Sequence, residues 1–224
     1  MENDGKKEND SLSRVVTIIL GLPWVEILTE AWKLGSKMLR GMTNEGIYEV
    51  LEYQCQLELK DKTGKLATIV KQEKMRYLQD SVTFYRDQAW GDGEIFLNYH
   101  CSPGKPVDEF RLGHKTYKLI SLREFRNKGD IDEFVIKWKM RNGFLKRTGF
   151  WGTSINHRTN KVTVKIIFPK FRPPLQVSIF ESNLHRSQIL GKEAQKVLPN
   201  GMTIVTWEIT NPRLYENYVL RWEW

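Results

Sequence analysis

The stretch Leu51-Glu-Tyr-Gln-Cys-Gln-Leu-Glu-Leu59 alternates an apolar side chain with Glu or Gln at every step. A period of two is the signature of a strand with one face in an oily interior and the other in water. Asp61-Lys-Thr-Gly64 follows as a hairpin turn, with glycine where positive φ is needed. A second strand returns from it over residues 67–78.

The same pattern continues outward along the chain. Residues 82–86 form a short third strand, and residues 94–100 a fourth with Ile95, Leu97 and Tyr99 on one face. Residues 102–106 read as a loop and 116–123 as a fifth strand. Beyond the turn Asn127-Lys-Gly-Asp130, Phe134, Ile136, Trp138 and Met140 alternate with Val135, Lys137, Lys139 and Arg141. Asn142-Gly143 is the strongest hairpin signal in the chain. It leads to strands at 144–155 and 161–168, after which Pro169 and Pro173-Pro174 break the ladder. Strands at 175–181, 203–209 and 215–224 complete the set, with a loop at 185–201 that holds one helical turn near 192–197. Tyr218, Leu220, Trp222 and Trp224 share a face of the last strand. About eleven short strands at this spacing predict an all-β fold: a single antiparallel β-sandwich, or partly closed barrel, over residues 44–224.

Upstream the period is helical. Residues 1–10 are polar and read as a disordered tail, and residues 11–42 as an amphipathic helical segment. Pro23 suits the first turn of a helix in which Val25, Leu28, Trp32, Gly35 and Leu39 form one stripe. Trp24, Val25, Leu28, Trp32 and Leu39 are the residues that would reach a partner's groove or a membrane interface, if the stripe does not pack on the β domain.

The 224-residue chain carries a formal charge of +8, unevenly placed. Residues 111–172 hold 16 basic side chains against four acidic ones. Eight tryptophans and 40% apolar residues supply ample core, which excludes global disorder. No uncharged run exceeds the eleven residues of 15–25, whereas a bilayer span needs about twenty. No secretory leader is read at the N-terminus. A cytoplasmic protein with reduced thiols is expected, with peripheral attachment to a membrane as the alternative address.

Six stretches resemble a family of bacterial β-rich open reading frames of unassigned activity. They are Gly46-Ile-Tyr-Glu-Val-Leu-Glu-Tyr53, Ala89-Trp-Gly-Asp-Gly-Glu94, Cys101-Ser-Pro-Gly104, Ile120-Ser-Leu-Arg-Glu124, Phe168-Pro-Lys-Phe-Arg-Pro-Pro174 and Leu220-Arg-Trp-Glu-Trp224. The resemblance covers most of residues 46–224. It implies a bacterial cytosolic source and carries no mechanism and no functional residue.

Candidate chemistry is sparse. Zinc needs four convergent ligands, but Cys55 and Cys101 sit on core-facing strand positions and His114, His157 and His185 each stand alone. The cysteines read as core fillers, with a Cys55–Cys101 disulfide as the alternative. Leu112-Gly-His-Lys-Thr116 lacks the upstream glycine and the following helix of a phosphate-binding loop, and reads as a strand-entry turn. Asp92 and Glu94 are carboxylates close enough in sequence for acid–base work, although Asp beside Gly is ordinary turn chemistry. No catalytic residue, cofactor or metal site is assigned.

The basic strands carry more. Lys137, Lys139 and Arg141 share one strand face, and Lys161 and Lys165 share another. A two-residue Asn142-Gly143 turn would pair Arg141 with Phe144 and set Lys139 opposite Lys146, a like-charge pair that an acidic partner would relieve. The expected function is non-catalytic: a recognition or adaptor module meeting a protein or other acidic partner, such as an anionic lipid headgroup, through its N-terminal helix and a basic sheet face of Lys137, Lys139, Arg141, Lys146, Lys161 and Lys165. A nucleic-acid-binding protein using the same lysines and a hydrolase using Asp92 and Glu94 are the alternatives. The oligomeric state is not legible.

Overall fold

The strand predicted at the outset is Tyr48–Leu59 (β1), and it returns through the Asp61–Gly64 turn into Leu66–Tyr77 (β2). The computed structural model describes residues 46–224; the tail at 1–10 and the helical segment at 11–42, including Trp24, Val25, Leu28, Trp32 and Leu39, lie outside the described residues. In β1 the alternation holds from Tyr53 to Leu59, with Cys55, Leu57 and Leu59 buried. A bulge between Val50 and Glu52 then shifts the phase, so Tyr48 and Val50 are buried in place of Leu51. A bulge inserts one unpaired residue, which period-two counting cannot see.

Among the described residues fourteen strands form three open sheets. The remaining strands are Val82–Ala89 (β3), Glu94–Ser102 (β4), Lys105–Leu112 (β5), Lys115–Arg126 (β6), Ile131–Arg141 (β7), Thr148–Ser154 (β8), Lys161–Phe168 (β9), Gln176–Glu181 (β10), Arg186–Ile189 (β11), Gln195–Val197 (β12), Thr203–Thr210 (β13) and Asn217–Glu223 (β14). A seven-stranded sheet runs β12-β13-β9-β1-β2-β7-β4, a four-stranded sheet β11-β10-β14-β8, and a three-stranded sheet β3-β6-β5.

The all-β class is therefore as expected, while four details are corrected. The pairing is not wholly antiparallel, because β1 and β9 run parallel from Tyr53↔Val162 to Glu58↔Ile167. A meander reading pairs each strand with its successor and misses a partner a hundred residues away. The loop at 102–106 contains the start of β5, and the loop at 185–201 contains β11 and β12, with a 3-10 turn at Lys192–Ala194. These strands are polar and exposed, so they lack the apolar alternation that reveals a strand. In β4 the pairing with β7 is interrupted on both sides of Leu97, and Phe96 and Asn98 take positive φ, so Phe96 and Cys101 are the buried members.

The fourth correction concerns Asn142-Gly143. Asn142 does take positive φ (61°), but no hairpin forms. Strand β7 lies between β2 and β4, and the chain leaves it for β8 in the four-stranded sheet. The departing segment bonds instead to the β1–β2 turn: Asn142 N–H donates to the Lys65 carbonyl (2.7 Å) and Phe144 N–H to the Gly64 carbonyl (3.2 Å). Gly64 is required here, since a Cβ would stand 1.9 Å from the Phe144 carbonyl oxygen at a φ of +72°.

Both smaller sheets pack on the same face of the large one. Phe134, Ile136, Trp138 and Met140 of β7 share that face with Val162, Val164, Ile166 and Phe168 of β9 across the registers of β2 and β1. Tyr85 of β3 stacks on Phe134 (4.3 Å), while Trp222 of β14 meets Phe168 (5.6 Å) and Tyr218 meets Trp207 of β13 (5.1 Å). The core lies in this seam, where burying each large apolar side chain contributes about 1.5–3 kcal/mol.

Candidate functional site

The alternation that buries Ala67, Ile69, Met75 and Tyr77 on β2 also puts Lys71 and Glu73 on the inner face, at 7% and 6% exposure. Asp87 likewise falls in phase with Tyr85 and Ala89 on β3, and is 1% exposed. Buried charge is tolerated only when paired and hydrogen-bonded. Lys71 Nζ donates to Tyr85 Oη (2.9 Å), makes a close ion pair with Asp87, and lies 3.4 Å from Glu73 Oε2. Tyr85 Oη donates to Glu73 Oε2 and Tyr99 Oη to Asp87 Oδ2, both at 2.9 Å. Burial alone would push the Lys71 ammonium down, but the carboxylates of Asp87 and then Glu73 outweigh it and hold the group well above its ordinary range. The network clips the large sheet to the three-stranded one. Sequence reasoning missed it, although two charges in phase with an apolar strand face were the available signal.

The two thiols flank this network as free, buried groups. Cys101, Ile136, Lys71 and Cys55 lie in one transverse row on β4, β7, β2 and β1. Three strand spacings, about 14 Å, separate the cysteines, so they form no disulfide and act as core fillers. Burial pushes both thiols up to about 12. Their neutral forms are favoured by folding, so that contribution is complete below the ordinary thiol value of 9.0 and is lost as pH rises toward 12. Stability is therefore expected to hold a plateau to about pH 9 and then fall by about 1.4 kcal/mol per pH unit per thiol. Urea unfolding across pH 7–12 checks this; a Cys55→Ala, Cys101→Ala protein should keep its plateau further into alkali, and an unchanged profile would contradict it.

The outer face of the seven-stranded sheet holds the predicted basic residues. Register places Lys137, Val70, Gln56 and Lys165 in a single row across β7, β2, β1 and β9, with His100 and Thr206 at its ends. Lys139 and Arg141 follow on the same side of β7, and Lys161 on the same side of β9. Lys139 faces Thr68 and Leu97, not Lys146, which lies in the β7–β8 connection; the expected like-charge pair does not exist. The acids on this face have cationic neighbours. Glu94 pairs with Arg141 (3.4 Å), Glu208 with Lys161 (3.0 Å) and Glu58 with Lys60 (2.6 Å), while Lys74 stands between Glu52 and Glu133 in the register. Lys137, Lys139 and Lys165 make no ion pair among the described residues. Arg141, Lys146 and Lys161 thus separate from the other three of the expected set, since each is already engaged by an acid.

Asp92 and Glu94 are exposed, and each is held by its own cation, Lys146 at 3.2 Å and Arg141 at 3.4 Å. The phosphate-loop look-alike at Leu112–Thr116 is the tight turn between β5 and β6. Among the described residues no three metal-capable side chains converge, and no helix is long and apolar enough to cross a membrane.

No protein-family model matches the chain, and no curated protein matches it. Among solved structures it is similar to an M1 zinc metallopeptidase from Deinococcus radiodurans (11% identity, TM-score 0.43). It is also similar to a two-domain M1 zinc metallopeptidase variant bound to L-tryptophan (11% identity, TM-score 0.42). Each match covers 77% of this chain and 42% of the other, so the chain spans less than half the length of these structures.

Proposed function

We propose that this protein is a non-catalytic recognition or adaptor module, in which an all-β frame of sandwich type presents a basic sheet face to an acidic protein surface. The observation that carries the reading is the placement of Lys137, Lys139 and Lys165 on one face without an ion pair among the described residues, while Glu94 and Glu208 beside them are paired to Arg141 and Lys161. Three ammonium groups held on adjoining rows of a rigid sheet need no reorganisation to meet a carboxylate-rich surface. Such complementarity governs association rate and selectivity, and is screened over about 8–10 Å at ordinary salt. The buried Lys71 network supports the reading indirectly, since it ties the large sheet to the three-stranded one and keeps the frame rigid.

The test uses the full chain and poly-L-glutamate as an acidic probe. Binding followed by fluorescence anisotropy is expected at low salt and should weaken steeply with added salt. Lys137→Glu with Lys139→Glu is expected to cost at least about tenfold in affinity, with the melting temperature retained because both side chains are exposed. Equal affinity in the variant would overturn the reading.

A further inference from the structure

The end of the molecule built by the β1–β2 turn, the β7–β8 connection, the β9–β10 loop and Trp224 has a different chemistry. Phe171 is 81% exposed, Leu175 69% and Leu145 51%. A large apolar group in water is uninformative singly, but three on loops tied together at one end of the domain call for a partner. Lys62 and Lys65 of the first turn and Lys170 beside Phe171 are exposed as well, and make no ion pair among the described residues. The only acid in the β1–β2 turn, Asp61, is turned inward: its carboxylate accepts the amides of Thr63 (2.8 Å), Lys65 (3.2 Å) and Leu66 (2.8 Å).

These loops are braced. Arg172 lies 3.7 Å from the Trp224 ring centroid and donates to the carbonyls of Lys62 (3.0 Å) and Lys146 (3.3 Å). Trp224 Nε1 donates to the same Lys146 carbonyl (2.9 Å). One guanidinium thereby ties three loops to the final residue. The apolar tips are held outward on an ordered frame, so engaging them costs little ordering entropy.

We propose that this loop end docks on an anionic lipid bilayer, with Phe171, Leu175 and Leu145 entering the headgroup–acyl boundary and Lys62, Lys65 and Lys170 meeting the lipid charges. This goes beyond the reading above, because it uses other residues and another partner. Side chains this far out in solvent suit a deformable interface better than a protein groove, which would need matching concavity. Two of the three tips are leucines, which have no ring face for stacking a base. Binding of this kind adds buried apolar area to electrostatic attraction, and neither alone suffices.

The experiment is vesicle co-sedimentation of the full chain. The wild type is expected to pellet with phosphatidylserine–phosphatidylcholine vesicles and to remain in solution with phosphatidylcholine alone. Phe171→Ser with Leu175→Ser should weaken pelleting at least about tenfold, equivalent to about 1.4 kcal/mol, and leave poly-L-glutamate binding unchanged. Lys62→Glu with Lys65→Glu should weaken it comparably. Circular dichroism confirms that these exposed variants fold. Pelleting unaffected by either variant overturns the proposal and leaves the sheet-face reading standing. So does binding to poly-L-glutamate without any to vesicles. Failure to bind either probe overturns both. Loss of binding to mixed-sequence DNA in the tip variant, with no vesicle binding in the wild type, would assign the loop end to nucleic acid instead.

Discussion

Deleting residues 218–224 is expected to leave no folded protein. Strand β14 occupies the interior of the four-stranded sheet, paired to β10 on one side and β8 on the other. Its inward side chains Tyr218, Leu220 and Trp222, together with Trp224, are 7% exposed or less. At about 1.5–3 kcal/mol each, their burial amounts to about 10 kcal/mol, comparable to the whole net stability of an ordinary domain. The deletion also opens two ladders and removes the ring on which Arg172 rests. Soluble expression and a thermal melt by circular dichroism check this. A truncated protein that melts as the full chain does would contradict it.

Lys71→Met is expected to destabilise by about 3–5 kcal/mol, the usual cost of stranding buried charge. The substitution keeps most of the volume and removes the ammonium that holds Asp87 and Glu73. Two carboxylates then face each other across the seam, with the Tyr85 and Tyr99 hydroxyls as their remaining side-chain hydrogen-bond donors among the described residues. Combining it with Glu73→Gln and Asp87→Asn removes the stranded charge and should recover part of the loss. Urea midpoints at constant m-value measure both steps. A single variant as stable as the wild type would mean that the network is not clipping the sheets. A triple variant no better than the single would mean that lost packing, not charge, sets the cost.

The local reading of the chain succeeded wherever one face of a strand is oily and the other wet. β7 and β14 stood in the sequence with their inward residues, and β1 did from Cys55 to Leu59, because alternation reports burial directly. It failed where exposure is uniform, as in β5, β11 and β12, whose chains offer no contrast between faces. It failed also for pairing, which depends on which distant strand returns, as β9 does to β1. The Asn142-Gly143 signal was right about backbone conformation and wrong about connectivity, since positive φ turns a chain without choosing its partner. Of the candidate surface, Lys137, Lys139 and Lys165 were legible as outward-facing, while the neutralisation of Arg141, Lys146 and Lys161 by Glu94, Asp92 and Glu208 depends on contacts between segments far apart in sequence. The loop-end cluster was invisible for the same reason, because it joins residues near 62, 146, 171 and 224.

A lysine-acylation footprint of the full chain, taken with and without poly-L-glutamate, tests the basic-face account most directly. Lys137, Lys139 and Lys165 should lose reactivity together on adding the polymer, while the exposed Lys105 and Lys128, on β5 and the β6–β7 turn, acylate at their free rates. Undiminished acylation of those three at polymer concentrations where the protein is bound would show that the contact lies elsewhere.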